Sequence, residues 1–256
     1  MKTRVFCLIA TFFAMMFAPS FQSSANAQSD NAMVDEFINM FRSEFMGGQD
    51  ISVNAVGSNI EIRIVTDVNK GEPTAEFACD LVCAAKKYLT DNPSFVSHDE
   101  ETMKYVDAFS AAGIDFSILF IDKYTNEKYS VALSPKEIVV CDIMNAMDSD
   151  EVTMKIMSYM PFEKFVKHLN SMLEEAGMVL EATGDYVYFV VPAPGAAEFQ
   201  EVYEFYQSDR EGFTEGFVGS FMGGMGEFAE MIHKFNHKIG VKITCPGYSP
   251  IVINVE

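Results

Sequence analysis

The sequence predicts an α+β fold built as a tandem duplication. Each half is expected to be a four-stranded antiparallel sheet of two hairpins, with helices packed on one face. Three observations predict it. Apolar residues alternate with period two in paired stretches separated by reversal residues. Between those pairs, apolar residues recur at spacings of three and four, the mark of amphipathic helices. The order helix, hairpin, two helices, hairpin then repeats at an offset of 127 or 128 residues.

Taken in order, the chain opens with Lys2 and Arg4, an apolar run from Val5 to Phe17, and a polar stretch ending Ala25-Asn26-Ala27. This pattern reads as a secretory signal peptide over 1–27, cleaved near Ala27, with a secreted or periplasmic destination. The apolar run is too short for a good membrane span, and no later stretch is long and apolar enough for one. The first repeat covers 28–147. Its first helix carries Val34, Phe37, Ile38, Phe41 and Phe45. A hairpin follows, in which Ile51, Val53 and Ala55 face Ile60, Ile62 and Ile64 across Gly57-Ser58-Asn59. Ala78, Leu81, Val82, Ala85, Tyr88 and Leu89 mark the next helix, which Asn92-Pro93 ends. Ser97 and Glu100 place a capping box before a helix with Met103, Val106 and Phe109. The second hairpin joins Ile114–Ile121 to Lys128–Leu133 through Asn126. Ser134-Pro135-Lys136-Glu137 is a capping box with proline at the first helical position, opening a short helix to about Met147. Residues 148–151 read as the linker.

The second repeat, 152–256, mirrors the first. Phe162, Phe165, Val166, Leu169, Met172 and Leu173 lie on one helical face. Met178–Thr183 pairs with Tyr186–Val191 across Gly184-Asp185. Phe199, Val202, Tyr203 and Tyr206 mark one helix; Phe228, Met231, Ile232, Phe235 and Ile239 mark another. Val241–Thr244 and Ile251–Val255 close the chain as a hairpin around Pro246-Gly247. Three matches carry the repeat: 35–45 with 162–173, 55–62 with 182–189, and 111–118 with 237–244 around Gly113 and Gly240.

The glycine- and phenylalanine-rich stretch GFTEGFVGSFMGGMGEF, 212–228, corresponds to the helix–helix junction at 85–103. Glycines are therefore expected to break the chain there. A phosphate loop is excluded, because no strand precedes the stretch and no Lys-Ser/Thr follows Gly223-Gly224. Gly212, Gly216, Gly219 and Gly223 permit close helix packing, but Glu215 and Glu227 oppose membrane insertion. A flexible apolar contact surface is the alternative reading.

Composition narrows the function. The net charge is −19, and loss of Lys2 and Arg4 with the leader takes it to −21. Nucleic acid binding needs clustered cations, so it is not expected. Four cysteines remain after the leader: Cys79, Cys83, Cys141 and Cys245. Export permits disulfides, yet Cys79 and Cys83 are one helical turn apart and bridge poorly to each other. They read as small buried hydrophobes with one bridge at most, and their pairing stays open. Zinc held by thiolates is not expected, because paired C-x-x-C is absent.

Catalytic patterns are sparse. Glu230, His233 and His237 fall at i, i+3 and i+7, which brings them onto one side of a helix. They form the only metal candidate, the anchor of an alternative reading as a metal-dependent enzyme, but lack further ligands from other helices. His98 and His168 read as single histidines on loops or polar faces. Asp67-Val68-Asn69-Lys70-Gly71 departs from a calcium loop, since its glycine comes one place early and Ala78 stands where glutamate is needed. It reads as a turn. Tyr186, Tyr188 and Val190 form one face of their strand and Val187, Phe189 and Val191 the other, so both faces ask for cover.

The reading is a non-catalytic exported binding protein without a cofactor. Its partner would be a protein or an apolar ligand, or a second copy through the C-terminal half. The candidate contact residues are Tyr188, Phe189, Phe217, Phe221, Met222 and Met225. A structural envelope component is the remaining alternative.

Overall fold

The computed structural model describes residues 51–93, 100–138, 154–174 and 177–255. The leader 1–27, the helix expected at 34–45, Ser97, His98, Cys141 and the linker 148–151 lie outside them, as does the helix expected at 135–147 beyond Ile138. The chain divides into two compact units, Met1–Met160 and Pro161–Glu256.

The first unit holds strands β1 (Ile51–Val56) and β2 (Asn59–Thr66), helices α1 (Ala75–Asp91) and α2 (Glu100–Ala111), strands β3 (Asp115–Asp122) and β4 (Lys128–Leu133), and the short α3 (Pro135–Ile138). The second holds α4 (Phe162–Leu173), β5 (Val179–Thr183), β6 (Tyr186–Pro192), α5 (Ala196–Ser208), α6 (Arg210–Lys234), β7 (Lys238–Thr244) and β8 (Ile251–Asn254). Each unit contains one four-stranded sheet, ordered β1-β2-β3-β4 and β5-β6-β7-β8.

These sheets are mixed, not antiparallel as expected. β1–β2, β3–β4, β5–β6 and β7–β8 are antiparallel hairpins, but β2–β3 and β6–β7 run parallel. The cause is the connection. Each central pair is joined through two helices, and this crossover carries the chain back to the end from which it started. Period-two alternation is the same for either direction, so it cannot distinguish them.

The helices pack as the apolar periodicity requires. In the first unit, Ile60 and Ile62 of β2 and Phe116, Ile118 and Phe120 of β3 are buried with Ala78 and Val82 of α1 and Phe109 of α2. Phe109 meets Phe116 edge to face at 5.2 Å. Each of these large side chains contributes roughly 1.5–3 kcal/mol by leaving water. One half of the predicted capping box is present: the Ser134 N–H donates to the Glu137 carboxylate at 2.7 Å, and the Ser134 hydroxyl donates to the same carboxylate at 3.0 Å. Residues 154–160 also lie in this unit, where Tyr159 meets Tyr88 edge-on at 5.4 Å.

In the second unit α4 spans the predicted face, with Phe165 and Leu169 fully buried. It packs against β5. There the Asn170 amide accepts from the Leu180 N–H and donates to the Leu180 carbonyl, occupying both backbone groups of an edge residue. Tight turns at Gly57 and Gly184, with φ of 64° and 58°, start the return strands of the two equivalent hairpins.

The third sequence match does not survive. Gly113 (φ 65°) follows α2 in a left-handed cap, and the residue in that position after α6 is Asn236 (φ 59°). Gly240 lies instead inside β7, paired with Tyr188 of β6. The offset there is 123 residues, read from Asp115 and Lys238, which begin β3 and β7 opposite Asn59 and Tyr186.

The glycine-rich stretch is a third correction. It does not break the chain; it lies within α6, a continuous helix of 25 residues. The break falls earlier, at Asp209, whose backbone is non-helical and whose carboxylate accepts from the Gly212 N–H at 2.9 Å. Each glycine costs a helix interior roughly 1 kcal/mol against alanine. Packing of the opposite, phenylalanine-bearing face offsets that cost.

Candidate functional site

The alternation of β6 separates its two faces. Val187 and Phe189 point into the core and are fully buried. Phe189 meets Phe221 of α6 edge to face at 5.1 Å. Tyr186 and Tyr188 stand on the other face, half-buried, with their rings stacked at 5.6 Å. Tyr188 lies across Gly240, where a Cβ would collide with its ring. The Lys242 ammonium sits 4.4 Å from the Tyr188 ring centre and pairs with Glu181 at 2.6 Å. Hydrogen bonds from Lys242 and Thr183 hold the Glu181 carboxyl below its ordinary range. The Tyr188 hydroxyl donates to Asn254 at 3.2 Å. The second face of β6 is thus largely dressed by its own side chains.

On α6 the phenylalanines form a ladder along the core side. Phe213 stacks on Phe217 at 5.7 Å, and Phe217 on Phe221 at 6.0 Å. Phe213 is buried, while Phe217 and Phe221 are half-buried against the core of Val241, Ile243, Ile251 and Ile253. Met225 is half-buried too; Met222 lies on the same helix, with its side chain outside what the structure describes. Of the six candidates, the structure brings Phe189, Phe217 and Phe221 together as packing residues, and leaves Tyr188 on the opposite face of the sheet.

The apolar side chains that meet solvent lie elsewhere in this unit. Tyr203 and Phe205 of α5 are 39% and 54% exposed, and Tyr248 in the β7–β8 turn is 47% exposed. Sequence reasoning placed Tyr203 on a core face and passed over Phe205. The signal was present: Phe205 is out of phase with Phe199, Val202 and Tyr206.

The histidines do not assemble as expected. Glu230 and His233 are exposed on α6, but the helix ends at Lys234. His237 lies beyond the left-handed Asn236 and stacks on Phe162 at 4.0 Å. The three side chains therefore do not share a helix face, and among the described residues no group of three His, Cys, Asp or Glu is placed to hold a metal. His168, expected on a polar face, is buried beside Leu169, because the packed arc of α4 is wide enough to include it. Cys79 and Cys245 are buried in the two cores, Cys83 is exposed, and no disulfide joins these three.

A polar cluster not foreseen from sequence closes the first sheet. Asp67 and Asp122 sit at the carboxyl ends of the parallel strands β2 and β3, and both are buried. Asp67 caps the single 3-10 turn Val68–Lys70, which confirms a turn in place of a calcium loop. Its carboxylate accepts from Lys123 at 2.5 Å and from the Tyr124 hydroxyl at 2.8 Å. Those two bonds depress its pKa against the opposing effect of burial. Asp122 accepts from the N–H groups of Thr125 and Tyr124, each at 2.9 Å, and its pKa is likewise lowered. Asp67 takes its side-chain donors from the loop after β3, and Asp122 takes backbone donors from that same loop, an arrangement that ties the two loops together and favours the ionised form of both carboxyls.

No protein-family model, curated protein or solved structure matches this chain. Among the described residues no helix is long and apolar enough to cross a membrane.

Proposed function

We infer that this is an exported, non-catalytic binding protein of two tandem repeats, and that the second repeat carries the contact surface. The observation that carries the reading is the set of exposed aromatic rings, three in the second unit against Tyr124 among the described residues of the first. Tyr203, Phe205 and Tyr248 stand in solvent in the second unit, two of them on one helix. Exposed aromatic rings contribute large contact area at low conformational cost, the usual anchor of a protein interface. The duplication is supported by the shared strand order, the parallel centre in both sheets, and the paired turns at Gly57 and Gly184 and caps at Gly113 and Asn236. Export rests on the leader pattern at 1–27.

The structure moves the choice of test residues. Phe217 and Phe221 touch the core, so their loss would unfold the unit and report nothing about binding. Tyr203→Ser with Phe205→Ser is the better pair. Native mass spectrometry of the protein from its producing cells is expected to find a second protein at fixed ratio, lost in the double variant, with an unchanged circular dichroism spectrum. A bare monomer in both forms would refute the reading. Open-ended self-assembly would favour the envelope component.

A further inference from the structure

Helix α6 has an unusual division of faces. Phe213, Phe217 and Phe221 look into the core, while Gly212, Gly216, Gly219 and Gly223 follow at spacings of four, three and four and are exposed. At Gly216, Gly219, Gly223 and Gly224 an added Cβ would meet nothing within 4 Å. Nothing within the described part of this unit therefore requires glycine at these places. They are helix-weakening residues on a solvent face, where alanine would fit and serve the helix better. What glycine does supply is a smooth backbone strip that a second helix can approach closely, as small residues do wherever helices pack at short distance.

The exposed ring of Phe205 stands at the start of this strip. It rests edge-on against Phe213 at 5.5 Å, and Gly212 and Gly216 are the neighbours of Phe213 on α6. The surroundings are acidic. Glu201 and Glu204 flank Phe205 on α5, and Glu211 and Glu215 flank the first glycines on α6; all four are exposed. From Ala196 to Ile232 the sequence holds eight carboxylates and a single cation, Arg210, which covers the Tyr206 ring at 5.4 Å. That charge decides between occupants. A second copy would set this acidic face against itself, and like charges across an interface are costly. A cationic helix would pair with the same carboxylates.

We propose that the α5–α6 face of the second unit docks a cationic amphipathic helix of a partner protein. Its backbone lies along the glycine strip, its apolar side meets Phe205, and its lysines or arginines pair with Glu201, Glu204, Glu211 and Glu215. The inference rests on the reading of the second unit as the binding unit and names the chemistry of its partner. It is a helix-in-groove recognition with the groove floor made of glycine.

The test uses the full-length secreted chain and a fluorescent fourteen-residue leucine–lysine amphipathic helical peptide, read by anisotropy. Binding is expected at low salt, weakening about tenfold or more between 20 and 200 mM salt as the ion pairs are screened. The double variant Gly216→Leu with Gly219→Leu, and separately Glu201→Lys with Glu204→Lys, are each expected to weaken it about tenfold, or 1.4 kcal/mol. Reversal of two exposed carboxylates of the first unit, Asp115→Lys with Glu127→Lys, is expected to leave it unchanged. Circular dichroism checks that every variant is folded. Equal affinity across all variants would overturn the proposal as diffuse attraction to an acidic protein, while leaving the binding reading standing. Absence of peptide binding with a dimer in sedimentation that Gly216→Leu with Gly219→Leu dissolves would assign the strip to a second copy instead. Absence of peptide binding by a monomer that also lacks any copurifying protein would remove both.

Discussion

The two units share a strand order but close the carboxyl end of their parallel pair in different ways. In the first, Thr66 stands opposite Asp122, and a polar network ties the buried Asp67 and Asp122 to the exposed Lys123 and Tyr124. In the second, Pro192 stands opposite Thr244, the Ala193 N–H donates to the Thr244 carbonyl at 2.8 Å, and Ala193 and Cys245 join the apolar core. One topology thus tolerates either solution at the same place. What the backbone demands there is satisfied N–H and C=O groups, not a particular chemistry. The same contrast holds outside: the first sheet bears hydrogen-bonded pairs such as Asn59 with Ser117, and the second bears stacked tyrosines under a lysine.

The comparison is tested most strongly through the cores. Phe116→Ala in the first unit and Phe189→Ala in the second each remove a fully buried ring, and each is expected to cost about 3–5 kcal/mol in urea denaturation. If the units unfold separately, each variant shifts one transition and spares the other. A single transition moved equally by both would show that the units are energetically one.

Glycine gives a smaller effect of two signs. Gly240→Val is expected to destabilise the second unit by about 1–3 kcal/mol, because its side chain meets the Tyr188 ring and the Ile253 carbonyl. Gly219→Ala and Gly223→Ala are each expected to stabilise it, by up to about 1 kcal/mol, since their Cβ positions are open. Thermal melts distinguish them. Destabilisation by Gly223→Ala would mean that the outer face of α6 is covered within the chain itself.

The smallest expected effect is the response to acid. Asp67 and Asp122 have pKa values below their unfolded range, so their stabilisation is present at neutral pH and fades as pH falls through the folded values. Glu137 of the same unit is also lowered: burial opposes this, but its bonds from Ser134 and Lys86 prevail. The second unit has only the more exposed Glu181 among its described residues in this state. The first unit is therefore expected to lose stability earlier on acidification, and Asp67→Asn to flatten that dependence. Equal acid sensitivity of Asp67→Asn and the parent would remove the network from the account.

Much of this was legible in the residues. Phe162–Leu173 was bounded on its pattern alone, because its strong apolar face agrees with the packing it meets. The hairpins at Gly57 and Gly184 were legible because only a few residues suit a tight reversal. Strand direction was not, since it resides in the connection and not in the strand. The continuity of α6 was hidden because glycine breaks helices by propensity, whereas Asp209 and the phenylalanine ladder decide here. Aligning Gly113 with Gly240 failed for a related reason: the backbone requires a left-handed residue after the helix, and asparagine meets that need as glycine does. The Asp67 network was invisible because its partners come from a loop some 56 residues away.

The bond between Asn170 and Leu180 bears on what the protein does in a crowd of its own copies. β5 is an outer strand, and at Leu180, its second residue, both outward backbone groups are already taken by a side chain. At the opposite border, the Tyr206 hydroxyl reaches the Val252 carbonyl at 3.4 Å on the four-residue β8. A neighbouring molecule that tried to lengthen this sheet by one strand would have to displace a side chain at each border, Asn170 at one and Tyr206 at the other. Each edge thus carries a side chain that competes with strand addition, a means of blunting an edge without closing the sheet.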